Sequence, residues 1–170
     1  MNKILLVTLA LLVPSLLISG CSSESQSQSM AIIGEPAPDF TLQNLEGESV
    51  SLSDLRGSPV MINFWNTGCP PCRNEMPYLQ EVYDENRDTG LVLLTINIGQ
   101  SISTIETFLE DNDLALPVLL DSDGAITRRY GMPGIPTTFF IDRDGILRVK
   151  VIGGFPTKAA IDSRLSEIMS

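Results

Sequence analysis

The sequence predicts one α/β domain built on a mixed sheet. Three observations carry that reading. Apolar runs of strand length alternate with helical stretches from residue 60 to residue 129, the chain closes on two strands joined through Asp-Gly, and the pair Cys69-Pro70-Pro71-Cys72 lies where the first strand of the alternation gives way to a helix. In such folds functional groups gather at the C-terminal ends of the sheet strands.

The elements follow in order. Gly34-Glu35-Pro36-Ala37-Pro38-Asp39-Phe40 is a Pro-punctuated, extended lead-in. Phe40-Thr41-Leu42 and Ser49-Val50-Ser51-Leu52 alternate apolar and polar residues around Leu45-Glu46-Gly47-Glu48, the pattern of a hairpin with one buried face. Val60 to Trp65 is a buried strand. Pro71 to about Asn86 is a helix with Met76, Leu79, Val82 and Tyr83 on one face, and Pro77 is expected to kink it. Leu91 to Ile98 has the continuous apolar character of a central strand. Ser103-Thr104-Ile105-Glu106 has capping-box spacing and opens a second helix, with Ile105, Phe108 and Leu109 as its apolar face and an end near Asp111-Asn112-Asp113. Then come a short strand over Pro117–Leu120, a short helix from Asp123 to Arg129 ended by Gly131, and strands Thr137–Ile141 and Ile146–Val151 around Asp142-Arg143-Asp144-Gly145. A last helix spans about Thr157 to Ile168. No internal repeat is visible.

The first 30 residues read differently. Lys3 is followed by an apolar run from Ile4 to Ile18, interrupted by Pro14, that ends in Ile18-Ser19-Gly20-Cys21. This has the form of an export signal and is shorter than the ~20 apolar residues of a spanning helix. A cysteine directly after small residues resembles a bacterial lipoprotein signal, which implies cleavage after residue 20 and lipidation of Cys21. Residues 21–30, rich in Ser and Gln, then form a solvated tether, and residues 31–170 form the domain.

Composition narrows the chemistry. The chain has 11 basic and 21 acidic side chains. Removal of residues 1–20 takes away one lysine and leaves a net charge of −11. Nucleic-acid binding, which needs clustered Lys and Arg, is disfavoured, as is adhesion to anionic lipid through a basic patch. The absence of histidine excludes Ser-His-Asp and Cys-His catalysis and His-containing zinc sites. With Cys21 lipidated, Cys69 and Cys72 are the only free sulfurs. Two thiols at this spacing close a disulfide with little backbone movement. At a helix N-terminus, unpaired N–H groups and the helix dipole favour thiolate, the form that attacks disulfides. The pair points to reversible redox chemistry and to no cofactor or metal.

On these residues the chain resembles the thioredoxin superfamily over about residues 31–168, and more narrowly the TlpA/ResA-type membrane-anchored thiol–disulfide oxidoreductases. The matching pieces are Gly34 to Phe40, Asn63-Phe64-Trp65, Cys69-Pro70-Pro71-Cys72, Glu75-Met76-Pro77 and Gly134-Ile135-Pro136-Thr137-Thr138-Phe139. The resemblance implies a thioredoxin-like three-layer sandwich with an N-terminal hairpin extension. It implies that Cys69 is the exposed nucleophile, that Cys72 resolves the mixed disulfide, and that Ile135-Pro136 is a cis peptide facing Cys69. The Ile135 backbone would then pair with an extended substrate. Trp65, Pro70, Pro71, Ile135 and Pro136 are the expected substrate-binding residues, with Trp65 also shielding the disulfide. Glu75 is expected beside the cysteines, tuning their proton affinity, while Asn63 stands where cytosolic thioredoxins carry a buried Asp.

Two positions depart from the family pattern. Gly68 replaces an aromatic that often precedes the first cysteine, which opens the rim. Pro70 removes an N–H that could have bonded the Cys69 thiolate, which favours a reducing pair. The activity so implied is extracytoplasmic reduction of protein disulfides, such as the haem-attachment cysteines of apocytochrome c. A monomer held to the membrane by its lipid would draw electrons from a CcdA/DsbD-type membrane donor. Two other readings compete. A peroxiredoxin-like peroxidase shares the Pro36–Phe40 lead-in, yet Asn66 occupies the position three before the cysteine where that family has Thr or Ser. A lipoprotein binding copper or haem through its thiols would lack any histidine ligand.

Overall fold

A computed structural model describes residues 30–169, so the leader, Cys21 and all of the tether but Met30 lie outside the described residues. Seven strands form one mixed sheet in the order β2-β1-β5-β4-β3-β6-β7. They are β1 (Thr41–Asn44), β2 (Ser49–Ser51), β3 (Val60–Trp65), β4 (Val92–Ile98), β5 (Val118–Asp121), β6 (Thr137–Ile141) and β7 (Leu147–Ile152). The helices are α1 (Pro70–Asn86), α2 (Ile102–Asp111), α3 (Ala125–Arg129) and α4 (Lys158–Leu165). β3, β4 and β5 run parallel, connected through α1 and α2. β6 pairs antiparallel with β3, and the N-terminal hairpin adds to β5 through β1. This is the expected thioredoxin-like sandwich with a hairpin extension.

Both faces of the sheet are covered. On one face Met61, Trp65 and Phe140 pack with Met76, Leu79 and Val82 of α1, Ile105 and Leu109 of α2, and Ile161 and Leu165 of α4. On the other face Ile62, Phe64, Ile96 and Phe139 pack with Ile126 of α3, Tyr130 and the lead-in residues Ala37 and Phe40. β3 is buried at all six positions because it lies in the middle of both cores. Its C-terminal end therefore offers a rigid base for the segment that follows.

Most elements lie where the sequence places them, with three local differences. The cap of α2 is Ser101, two residues before the expected Ser103, and its side chain accepts from Thr104 N–H. An extra half-turn is gained because the chain leaves β4 through Gly99-Gln100 and is free to turn earlier. α1 starts one residue earlier than expected, at Pro70, and runs through Pro77 to Asn86 as the sequence places it. α4 ends at Leu165, and Ser166 to Met169 continue in turns closed on Asp162, Arg164 and Leu165. At the β6–β7 turn, Asp142 accepts from the N–H groups of Asp144 and Ile146 while Gly145 takes a φ of 74°.

Candidate active site

The site forms where β3 ends. Trp65 is the last strand residue, and Asn66-Thr67-Gly68 then lead to Cys69, the N-cap of α1. Pro70 and Pro71 occupy the first helical positions, where a missing N–H costs nothing and the fixed φ suits the helix. Cys69 and Cys72 are joined as a disulfide. Cys69 is 8% exposed and Cys72 fully buried, so of the two residues only Cys69 keeps any contact with solvent. The Cys72 N–H points at Cys69 Sγ, 3.2 Å away. Pro70 and Pro71 offer it no N–H, as the sequence implies.

The Ile135–Pro136 peptide bond is cis and faces the pair, with the Ile135 carbonyl oxygen 3.8 Å from Cys69 Sγ. Among the described residues, neither the N–H nor the C=O of Ile135 enters a backbone hydrogen bond. The Pro136 carbonyl is taken by Gly153 N–H at 2.9 Å, which ties the segment to the loop after β7.

That loop also closes over α1. A side-chain carbon at Gly154 would lie 2.9 Å from the Pro71 carbonyl oxygen, so only glycine allows the approach. The next residue, Phe155, donates its N–H to Glu75 Oε2 at 2.8 Å. Asn63 Nδ2 donates both to Glu75 Oε1 and to Thr138 Oγ1, each at 2.9 Å. Glu75 is fully buried one helical turn after Cys72. Burial pushes its carboxyl up to about 7, against the opposing pull of the Phe155 and Asn63 hydrogen bonds. It therefore changes charge near neutral pH.

The expected site residues do not all reach the surface. Pro70 and Pro71 are exposed and Ile135 is half-buried. Trp65 is fully buried, its ring 5.3 Å from that of Phe108, so the expectation that it contacts substrate is corrected. Its side chain points from β3 into the helical layer beneath the disulfide, a position compatible with shielding only. Pro136 is buried as well, whereas Ile135 beside it stays half-buried. Sequence reasoning missed Gly154, Phe155 and Thr138 as partners of the site. The Gly153-Gly154 pair was a visible signal for the close approach, whereas Phe155 acts through a backbone N–H that no side chain announces. Among the described residues no group of three or more Cys, Asp or Glu comes together in a way that could hold a metal ion.

Comparison with known proteins agrees with this geometry. The AhpC/TSA family profile matches residues 33–150. The thiol-disulfide oxidoreductase ResA of Geobacillus thermodenitrificans is 40% identical over 136 residues, covering 80% of this chain and 78% of that one. A proposed thiol:disulfide interchange protein DsbE from Chlorobium tepidum superposes with a TM-score of 0.76 at 31% identity, covering 84% of this chain and all of the other. StoA from Bacillus subtilis gives 0.65 at 31% identity, covering 76% and 97%.

Proposed function

Since the chain belongs to the AhpC/TSA family of the thioredoxin superfamily, and within it to the ResA-type thiol–disulfide oxidoreductases, we propose that it reduces protein disulfides outside the cytoplasm, with Cys69 attacking and Cys72 resolving. The observation that carries the division of roles is the difference in exposure, 8% for Cys69 against 0% for Cys72.

In the reduced protein the Cys69 thiolate attacks one sulfur of a substrate disulfide. A Cys69–substrate bond forms as the substrate S–S bond breaks, and the released sulfur leaves as a thiolate that takes up a proton. Cys72 then gives up its proton and attacks Cys69 Sγ. The mixed disulfide breaks, the second substrate sulfur leaves, and the Cys69–Cys72 disulfide forms. Two electrons and two protons pass to the substrate, and no further cofactor is required. Glu75, able to hold a proton near pH 7, is the candidate acceptor of the Cys72 proton. The free N–H and C=O of Ile135 suit an extended substrate backbone laid beside Cys69, with Pro70 and Pro71 as the exposed rim.

The direction is reduction. A single N–H reaches Cys69 Sγ, and a buried carboxyl that ionises near neutral pH further disfavours thiolate. A pair whose thiolate is weakly stabilised holds its electrons loosely. The expected potential lies at or below that of thioredoxin, about −270 mV. Outside the cytoplasm such a pair needs a continuous supply of electrons, for which a CcdA/DsbD-type membrane donor is the fitting class. Lipidation at Cys21 would keep the domain within reach of that donor. The likeness to ResA supports the haem-attachment cysteines of apocytochrome c as the substrate. The test is reduction of a disulfide-bonded apocytochrome by the reduced domain. Wild type and not Cys69→Ser should produce free substrate thiols, and equal rates would refute the reading.

A further inference from the structure

We propose, building on the dithiol reading above, that Gln100 is a positioning residue for Cys69. Its carboxamide clamps Thr67 and so fixes the short loop that presents the attacking sulfur. Gln100 lies just beyond the end of β4. Its Oε1 accepts from Thr67 N–H at 2.8 Å and from Asn97 Nδ2 at 3.0 Å, while its Nε2 donates to Thr67 Oγ1 at 2.8 Å. Asn97 is buried on β4 directly opposite Trp65 of β3. Because the Thr67 backbone N–H can only donate, Oε1 must face it, and Nε2 is then turned to the Thr67 hydroxyl.

The loop needs such an outside hold. Its own hydrogen bonds are Gly68 N–H to Asn66 Oδ1 at 3.0 Å and Cys69 N–H to the Asn66 carbonyl at 3.3 Å. Gly68 has no side chain to restrain it, and Pro70 and Pro71 have no N–H with which the helix start could bind it. Among the described residues, Gln100 supplies the hydrogen bonds that join residues 66–68 to another element. Cys69 must hold the extended N-cap conformation, φ −96° and ψ 106°, for Sγ to meet the Cys72 N–H. Gln100 does not touch Cys69 and acts through Thr67. When the clamp is lost, the loop samples other conformations, the thiolate loses its one donor for part of the time, and Cys69 becomes harder to ionise.

On its own helix the ionisable neighbours of Cys69 are Cys72, Arg73 and Glu75, and α2 and α4, which share its core cluster, carry Glu106, Glu110, Lys158, Asp162 and Arg164 outside that core. The ends of β3, β4 and β6, the 131–136 segment and the 152–156 loop bring none. A change in the Cys69 titration on mutating neutral Gln100 is therefore an effect of geometry.

The test uses Gln100→Met, which keeps the volume and removes the polar atoms, and Gln100→Ala as a second variant. Three quantities are measured: hydrogen exchange at the Thr67 amide, the urea midpoint of the oxidised protein, and the pH profile of Cys69 alkylation in the reduced protein. The expected result is exchange faster by roughly tenfold or more at Thr67 and a small change in urea midpoint. The alkylation midpoint should rise by about 0.5 pH unit or more, so that the rate at pH 7 falls roughly threefold. An alkylation profile equal to wild type in both variants overturns the proposal, as does an unchanged Thr67 exchange rate. Alkylation needs no protein substrate. A failure to reduce apocytochrome would refute the proposed function and leave this test standing.

Discussion

Asn63 Nδ2 lies 2.9 Å from Glu75 Oε1 and donates to it across the interface between β3 and α1. Both residues are fully buried, and Asn63 Oδ1 has no partner among the described residues. A neutral amide thus faces a carboxyl that ionises near pH 7, and the pair sits one helical turn from Cys72. Three of the following expectations stem from this pair.

The first concerns stability against pH. The Glu75 carboxyl is raised from 4.5 to about 7 in the folded protein. Between those values the folded chain binds a proton that the unfolded chain does not, so stability falls as pH rises through this window. The loss is on the order of 3 kcal/mol. Glu75→Gln removes that slope. Urea unfolding of the oxidised protein at pH 5, 6, 7 and 8 should show a wild-type decline that the variant lacks, and parallel curves would contradict the assignment.

In the reduced protein the same carboxyl couples to the thiols. Ionised Glu75 opposes thiolate formation, so Glu75→Gln should lower the midpoint of the alkylation profile and turn a coupled titration into a single step. An unchanged profile would remove Glu75 from the site chemistry.

Removing the amide pushes the Glu75 carboxyl further up, because the Asn63 hydrogen bond favours its ionised form. Asn63→Leu strips a donor from the carboxylate and from Thr138 Oγ1. It should cost about 1–3 kcal/mol. The loss should be greater at pH 8.5, where Glu75 is ionised and buried without that partner, than at pH 6. Equal losses at both pH values would show that the bond contributes packing alone.

Gly154 is the steric counterpart. A methyl group there would lie 2.9 Å from the Pro71 carbonyl, so Gly154→Ala must push the loop outward and stretch the Phe155 N–H bond to Glu75. A destabilisation of about 1–3 kcal/mol is expected by unfolding measurements, together with faster exchange at the Phe155 amide. Normal stability and exchange would mean that the loop gives way elsewhere.

Peroxide chemistry separates the peroxidase reading. Asn66 Oδ1 is engaged by Gly68 N–H, which turns it away from the role that Thr or Ser plays before a peroxidatic cysteine. Reduced protein should consume hydrogen peroxide no faster than an ordinary exposed thiol, and rapid catalytic consumption would favour that alternative.

Periodicity and spacing made the fold legible. β3 was readable to the residue because six consecutive apolar or amide positions precede the Cys pair, and the β6–β7 hairpin because Asp-Gly marks its turn. The α2 cap was misplaced since Ser101 and Ser103 are both competent caps and the choice depends on how the chain leaves β4. In the site, Cys69, Cys72 and Glu75 were visible as side chains at fixed spacing. The parts that sequence could not disclose are backbone groups and contacts between distant segments: Phe155 N–H on Glu75, the Pro71 carbonyl under Gly154, and the Gln100 clamp. Trp65 belongs to a strand legible as buried, but whether it also reaches a substrate depends on the strand register, which turns its side chain inward.

The central claim is that Cys69 attacks a protein disulfide and Cys72 releases it. Cys72→Ala tests this most directly. Expressed in cells that make c-type cytochromes, or mixed with oxidised apocytochrome, the variant should accumulate as a mixed disulfide through Cys69 that dithiothreitol dissolves and that Cys69→Ala Cys72→Ala does not form. Absence of any such adduct, or its equal formation in the double variant, would contradict the account.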